Sequence, residues 1–126
     1  MSKIIIKSEK APTPIGPYSQ AVQVGNMLFI SGQIAINPTT GQFEKGDIIT
    51  ETNRVMKNLG AILKDAGFAW HHVVKSTIFL KDLNDFGTVN ALYGDYFKEN
   101  PPARETVEAA RLPKDAKVEI SVIAVQ

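Results

Sequence analysis

Of the residues able to do chemistry, Arg104 has the most distinctive setting. It opens a β-prone run straight after Pro101-Pro102-Ala103, a stiff lead-in that limits how far its guanidinium can wander. A planar guanidinium meets a carboxylate with two parallel hydrogen bonds, so a rigidly mounted arginine makes a good anchor for a small carboxylic acid. The alternative is a salt bridge to a surface acid. Glu119 lies inside an otherwise β-branched run, where a carboxylate either pairs with a cation at a subunit seam or holds a water. Asn90 falls on the apolar stripe of a helical pattern, where an amide must find hydrogen-bond partners. Tyr18 follows the rigid Gly16-Pro17, and its ring either covers a pocket or pins a loop to the surface.

Several chemistries are excluded. Cysteine is absent, which removes disulfides, thiolate nucleophiles and zinc–thiolate clusters. His71 and His72 are the only histidines; as neighbours they point in different directions, with no acidic cluster near them in sequence. No metal site is expected there, and the pair reads as a solvated loop. Gly16, Gly25, Gly32 and Gly41 each look like a separate turn element rather than a phosphate-binding loop. No serine sits in a nucleophile elbow. What remains is Arg, Glu, Tyr, Ser, Thr and Asn. That set suits a labile substrate, for which the protein supplies binding, orientation and a placed water.

The elements that must carry these residues follow from periodicity. Residues 4–6 read as a short strand. The segment from Ala11 to Tyr18 holds three prolines and a glycine, which forbid regular structure. Residues 21–24 and 27–31 are β-prone runs joined by Gly25-Asn26, a hairpin signal because both residues tolerate positive φ. Residues 37–41 form a turn. Over residues 47–66, Ile48, Thr52, Val55, Leu59, Ile62 and Ala66 recur at spacings of three and four, which predicts a helix with one buried stripe. Asp47 is its expected N-cap and Gly67 its C′ residue.

Residues 73–80 predict a strand. Residues 86–97 predict a second helix, with Phe86, Val89, Asn90, Tyr93 and Phe97 on one side and a stop at Asn100-Pro-Pro102. Two strands, 104–110 and 117–125, close the chain around a turn at 112–115. The order predicts an α+β domain, a mixed β-sheet with two helices packed on one face. In the last strand Val118, Ile120, Val122 and Ala124 suit the core, while Glu119, Ser121, Ile123 and Val125 face away. Val73, Thr77 and Phe79 offer a similar mixture. Such a second, partly apolar face predicts a homo-oligomer.

At 126 residues, 44% hydrophobic and 21% charged, the chain fits one globular domain over 1–126. Formal net charge is +1 with scattered Lys and Arg, so nucleic acid is not an expected partner. Three isoleucines near the N-terminus are too few for a signal-peptide core or a membrane span. No membrane partner and a cytoplasmic location are expected.

Together the segments resemble the RidA (YjgF-type) family over nearly the whole chain. The likeness rests on Ile15-Gly-Pro-Tyr-Ser-Gln-Ala21, Phe29-Ile-Ser-Gly-Gln33, Val74-Lys-Ser-Thr-Ile-Phe-Leu80, Asn84-Asp-Phe86, Val89-Asn90 and Tyr93-Gly-Asp-Tyr-Phe97. Pro102-Ala-Arg104, Thr106-Val107 and Arg111-Leu-Pro-Lys-Asp-Ala-Lys-Val-Glu-Ile120 complete it. Any one piece is a weak signal; their joint order and spacing are specific.

The resemblance implies a chorismate-mutase-like fold, trimeric with a central barrel, and sites in the clefts between subunits. It implies hydrolysis of 2-imino and enamino acids, such as 2-iminobutanoate and 2-iminopropanoate, to 2-oxo acids and ammonia without a cofactor. Arg104 resembles the family arginine that binds the substrate carboxylate, and Glu119 the glutamate that positions the attacking water. Thr106 stands where relatives often have cysteine, its backbone N–H helping to hold the carboxylate. Tyr18, Ser31, Gly32 and Asn90 match pocket-lining positions. Glu105 departs from the usual Ser or Thr, and on a strand its side chain should point away from Arg104. Two other readings stay open: a ribonuclease or translation inhibitor, and a non-catalytic trimer that binds small carboxylates or acts as a chaperone.

Overall fold

The structure, a computed structural model, describes residues 2–126; Met1 lies outside the described residues. Among the described residues, six strands and two α-helices occur in the order β1 (Lys3–Ile6), β2 (Ala21–Val24), β3 (Met27–Gln33), α1 (Ile48–Asp65), β4 (Val73–Leu80), α2 (Phe86–Gly94), β5 (Ala103–Glu108) and β6 (Val118–Val125). They build one mixed sheet in the order β1-β2-β3-β6-β4-β5, a mixed α+β architecture as the pattern predicts. Every neighbouring pair is antiparallel except β4 and β5. A parallel pair needs a crossover connection, and α2 supplies it. The strand that carries Arg104, β5, is therefore an edge strand.

The hairpin forms where Gly25-Asn26 predicts it, with Val24 paired to Met27. Gly25 takes φ +59° while Asn26 stays out of the positive-φ region, the pattern of a type II′ turn. The expected N-cap of α1 is in place: the Asp47 carboxylate accepts from Thr50 N at 2.8 Å. At its other end Gly67 N donates to Lys64 O at 3.0 Å. The stripe residues Val55, Leu59 and Ile62 are fully buried and pack with Leu28, Ile78 and Ile120 in one core. Each such side chain contributes about 1.5–3 kcal/mol by leaving water.

Three expectations need correction. The helix predicted to run to Phe97 ends at Gly94, because Tyr96 N and Phe97 N donate to Tyr93 O and Gly94 O, three residues back, and tighten the last turn. Val73 does not share a face with Thr77 and Phe79. The β4–β6 register pairs Val73 with Ala124 but Lys75 with Ile123, so Val74 is one extra residue in β4. That bulge reverses the alternation: Val73 is buried and Val74 is exposed. Asn90, finally, is exposed on α2, so water can satisfy its amide.

Elsewhere the alternation holds. Val118, Ile120, Val122 and Ala124 are buried in the core, while Glu119, Ser121, Ile123 and Val125 are half-buried on the other face. Met27, Phe29 and Val107 are exposed large apolar side chains. No helix among the described residues is long and apolar enough to cross a membrane.

Candidate functional site

A cleft of about 340 Å³ opens where β3 ends and β6 begins. Its walls include Pro12, Thr13, Ile15, Tyr18 and Gln20 from the irregular N-terminal segment, Ser31, Gly32 and Gln33 from β3, Ile34 and Ile36 beyond it, and Pro113 and Glu119. The local chain path explains the opening. Ile30 pairs with Val122 but Gln33 with Ile120, so three steps along β3 match two along β6. This bulge at Ser31-Gly32 interrupts the ladder before it resumes at Gln33, a local irregularity of the kind often found beside functional sites.

Glu119 is the carboxylate of this cleft. It is half-buried, and among the described residues its side chain has no hydrogen-bond or ion-pair partner. Burial alone pushes its carboxyl above the ordinary range. Gly32 makes room for it: a Cβ there would lie 2.2 Å from Oε2 of Glu119. A carboxylate with a raised pKa is a better base near neutrality, which suits it to take a proton from water.

The other cleft residues are held by their own neighbours. The Ser31 hydroxyl donates to Ser19 O at 2.6 Å and its backbone N–H to Gln20 O at 2.9 Å, so Ser31 fastens the irregular segment to β3. The Tyr18 phenol oxygen accepts from Ile15 N at 3.2 Å, and the ring stays about half exposed at the cleft mouth. Gln20 does most of the local holding, a role the sequence pattern does not reveal. Its Oε1 accepts from Ser8 N at 2.6 Å, and its Nε2 donates to Ser8 O, Ala11 O and Pro12 O at 3.0, 3.2 and 2.8 Å. A buried amide that answers three carbonyls keeps a strand-free segment in one path.

Arg104 is not in this cleft. It pairs with Ser76 in the parallel β4–β5 register, and Ser76 is a buried residue that accepts from the Tyr93 hydroxyl at 2.9 Å. Arg104 therefore faces the helices. Its guanidinium lies 5.5 Å from the Phe86 ring centroid and 5.0 Å from that of Tyr93, and it forms no ion pair among the described residues. Helical spacing puts Asn90 on the same strip of α2 as Phe86 and Tyr93. Thr106 faces the same way as Arg104, with its Oγ1 buried and unpartnered. Glu105 turns to the other face, as strand alternation predicts, and its carboxylate meets Lys75 Nζ at 3.0 Å. It does not compete for the arginine.

The candidate residues thus fall into two groups. Tyr18, Ser31, Gly32 and Glu119 share the cleft; Arg104, Thr106 and Asn90 gather at the β5–α2 edge. Glu119 pairs with Phe79, which pairs with Val107, three residues beyond Arg104 on β5. Strand geometry then separates the Cα atoms of Glu119 and Arg104 by roughly 14 Å, with side chains on opposite faces. One chain cannot bring both groups to a small molecule.

Fold and site together define a Rid-type protein. The chain belongs to the family described as Endoribonuclease L-PSP, whose sequence profile matches residues 8–126. It is 55% identical over 124 residues to a RutC family protein of Pyrococcus abyssi, with 98% of each chain covered. It is 50% identical over 129 residues to the 2-iminobutanoate/2-iminopropanoate deaminase of Mus musculus, covering 100% of this chain and 96% of that one. Among solved structures, the Rid-family protein YyfA of Yersinia pestis superposes with a TM-score of 0.95 at 47% identity, covering 99% of this chain and 100% of that one.

Proposed function

We propose that this chain hydrolyses small 2-imino acids, such as 2-iminobutanoate and 2-iminopropanoate, to 2-oxo acids and ammonia. It does so as a homotrimer in which each site joins Glu119 of one copy to Arg104 of the next. The observation that carries the reading is the separation of two unpartnered charges, a guanidinium on an edge strand and a carboxylate in a cleft, which no single chain can bring together. A four-carbon imino acid fills only part of the cleft, leaving room for an arriving β5. Exposed Met27, Phe29 and Val107 give a second copy apolar surface to cover. The 50% identity to the mouse deaminase supports the same substrate class.

In this reading Arg104 fixes the carboxylate through its fork of donors, with Asn90 beside it. The imine carbon then faces a water held by Glu119. The water oxygen bonds to that carbon as the C=N electron pair moves onto nitrogen, and Glu119 takes the proton. Glu119 returns it to nitrogen, giving the neutral carbinolamine. It then takes the hydroxyl proton and passes it to the amine as the C–N bond breaks, leaving the C=O bond of the 2-oxo acid and ammonia. The imine is already labile in water, so the protein supplies only a few kcal/mol, each ~1.4 kcal/mol being tenfold in rate. Orientation and a few placed hydrogen bonds suffice for that.

A coupled assay tests the activity. A threonine dehydratase generates the imine, semicarbazide competes for it, and added protein should divert it to 2-oxobutanoate. An unchanged semicarbazone yield sinks the reading. RNA cleavage is disfavoured by the cleft's ionisable side chains, Tyr18 and Glu119; His71 and His72 lie outside it, at the start of β4. Degradation of single-stranded RNA by highly purified protein, lost in Glu119→Gln, would put that reading first.

A further inference from the structure

The buried side of α1 is not wholly apolar. Glu51 and Asn58 are 1% and 0% exposed, and neither belongs to the cleft. They stand seven residues apart, two helical turns and about 10 Å on the same face. Each reaches off the helix to a segment that builds the cleft. Glu51 Oε1 accepts from Lys117 N at 2.8 Å, two residues before Glu119. Asn58 Nδ2 donates to Ile34 O at 3.2 Å and to Ile36 O at 3.0 Å, the wall beyond the Ser31-Gly32 bulge.

These bonds act at the margin of the sheet, where strand pairing thins out. The pairing of β3 ends at Gln33, and residues 34–36 have only one isolated bridge, Ile36 to Phe43. Lys117 precedes the first paired residue of β6. Besides α1, Lys117 O accepts from Lys81 N at 2.9 Å and Ala35 O from Glu44 N at 2.7 Å, so α1 adds the bond that holds Lys117 N and those that hold the Ile34 and Ile36 carbonyls. Both groups are also costly to bury. Lys117 Nζ lies 3.9 Å from Glu51 Oε2, a loose pairing, and Asn58 Oδ1 has no hydrogen-bond partner among the described residues. Apolar side chains of the same volume would pack the core more cheaply.

We propose that α1 is the positioning element of the cleft: Glu51 sets the start of β6 and with it the carboxylate of Glu119, and Asn58 sets the 34–36 wall opposite. The proposal rests on the reading of Glu119 as the group that holds the water. Glu51 and Asn58 touch no substrate; they are positioning residues, and they leave different kinetic signatures. Loss of the Glu51 acceptor displaces the carboxylate and lowers kcat. Loss of the Asn58 donor loosens the wall and raises KM.

The test uses the full-length oligomer with three substitutions, Glu51→Met, Glu51→Gln and Asn58→Leu. Glu51→Met removes the acceptor but fills the space with apolar volume, so thermal stability should hold. Its kcat should fall about ten- to hundredfold, the usual consequence of a misplacement near 1 Å, with KM little changed. Glu51→Gln keeps an oxygen for Lys117 N and should retain kcat within about threefold. Asn58→Leu should raise KM about tenfold with kcat within about threefold. Wild-type kcat in Glu51→Met, or equal impairment in Glu51→Gln, overturns the proposal. If Glu51→Met does not fold, Asn58→Leu decides alone, and an unchanged KM overturns it.

A second measurement needs no turnover. The Glu119 carboxyl carbon, observed by carbon-13 NMR and assigned with Glu119→Gln, should titrate at lower pH in Glu51→Met as the displaced group meets water. An unmoved titration overturns the positioning role. Wild-type protein that fails to hydrolyse imines, but whose Glu119 titration moves in Glu51→Met, sinks the functional reading and supports the positioning.

Discussion

The carboxylate of Glu119 rests against the backbone of Gly32, where a β-carbon would lie 2.2 Å from Oε2 and 2.8 Å from Cδ. Real Cβ atoms do not approach so closely, so one of the two must move. The carboxylate is the far end of a flexible side chain, whereas Gly32 is fixed in a bulge between two paired stretches of β3. In Gly32→Ala the side chain of Glu119 yields and the fold survives. Thermal stability should drop only slightly, while imine hydrolysis falls at least about tenfold, or ~1.4 kcal/mol of barrier. A variant with full activity would show that the carboxylate position is irrelevant.

Arg104 presents a different kind of constraint. Its guanidinium lies against the Phe86 and Tyr93 rings and forms no ion pair among the described residues, so its donors stay open to a carboxylate. Arg104→Ala should abolish activity and leave the oligomer intact on size-exclusion chromatography. Arg104→Lys keeps the charge but loses the planar fork and its stacking. It should recover only a small part of the activity, with the loss mostly in KM. Equal activity in Arg and Lys forms would mean that charge alone suffices.

Glu51 makes a prediction about pH and stability. Burial, the largest influence, holds its carboxyl above the ordinary value, and nearby Asp85 pushes the same way against the Lys117 N–H and ammonium. Between the unfolded and folded values the native state binds more protons than the unfolded chain. By linkage, stability then falls as pH rises through that window, and its full margin is present below the unfolded pKa, ~4.3 for a free Glu. Glu51→Gln removes this dependence. The difference in urea midpoint between variant and wild type should move in the variant's favour from pH 4 to pH 8. A difference that stays flat with pH contradicts the raised carboxyl.

What the sequence made legible was local. The stripe and N-cap of α1 and the Gly25-Asn26 hairpin come from spacing and turn chemistry within a few residues. The misplaced face of Val73 and the unread opening of the cleft share one cause. Bulges at Val74 and at Ser31-Gly32 each add a residue and reverse the face of the strand beyond them, and nothing in β-prone composition marks them. The opposite facing of Arg104 and Glu119 depends on the register of β5 against β4 and β4 against β6, which is set across the sheet. Glu51, Asn58 and Asp65 form a polar row at seven-residue intervals beside the apolar stripe, and such a row reads as a solvated flank. Only their distant partners Lys117, residues 34–36 and Ser8 reveal its use.

The proposed sharing of each site between two chains can be read directly by kinetics. If Glu119 of one copy works with Arg104 of the next, each site in the oligomer draws one residue from each of two chains. Arg104→Ala and Glu119→Gln are each inactive alone, yet each retains the half that the other lacks. Mixed in equal amounts and reassembled, a site is whole when an Arg104→Ala chain supplies Glu119 and its neighbour, a Glu119→Gln chain, supplies Arg104. Random assembly into closed rings makes both choices correct in about one quarter of the sites. Activity should therefore return to about 25% of the wild-type level per chain. It should not appear if the two proteins are mixed without subunit exchange. A double variant carrying both changes, mixed equally with wild type, gives the matching control. There exchange should lower activity, from about one half of the sites intact to about one quarter. Continued inactivity of the reassembled pair would mean that both groups act within one chain, against the roughly 14 Å and the sheet that separate them.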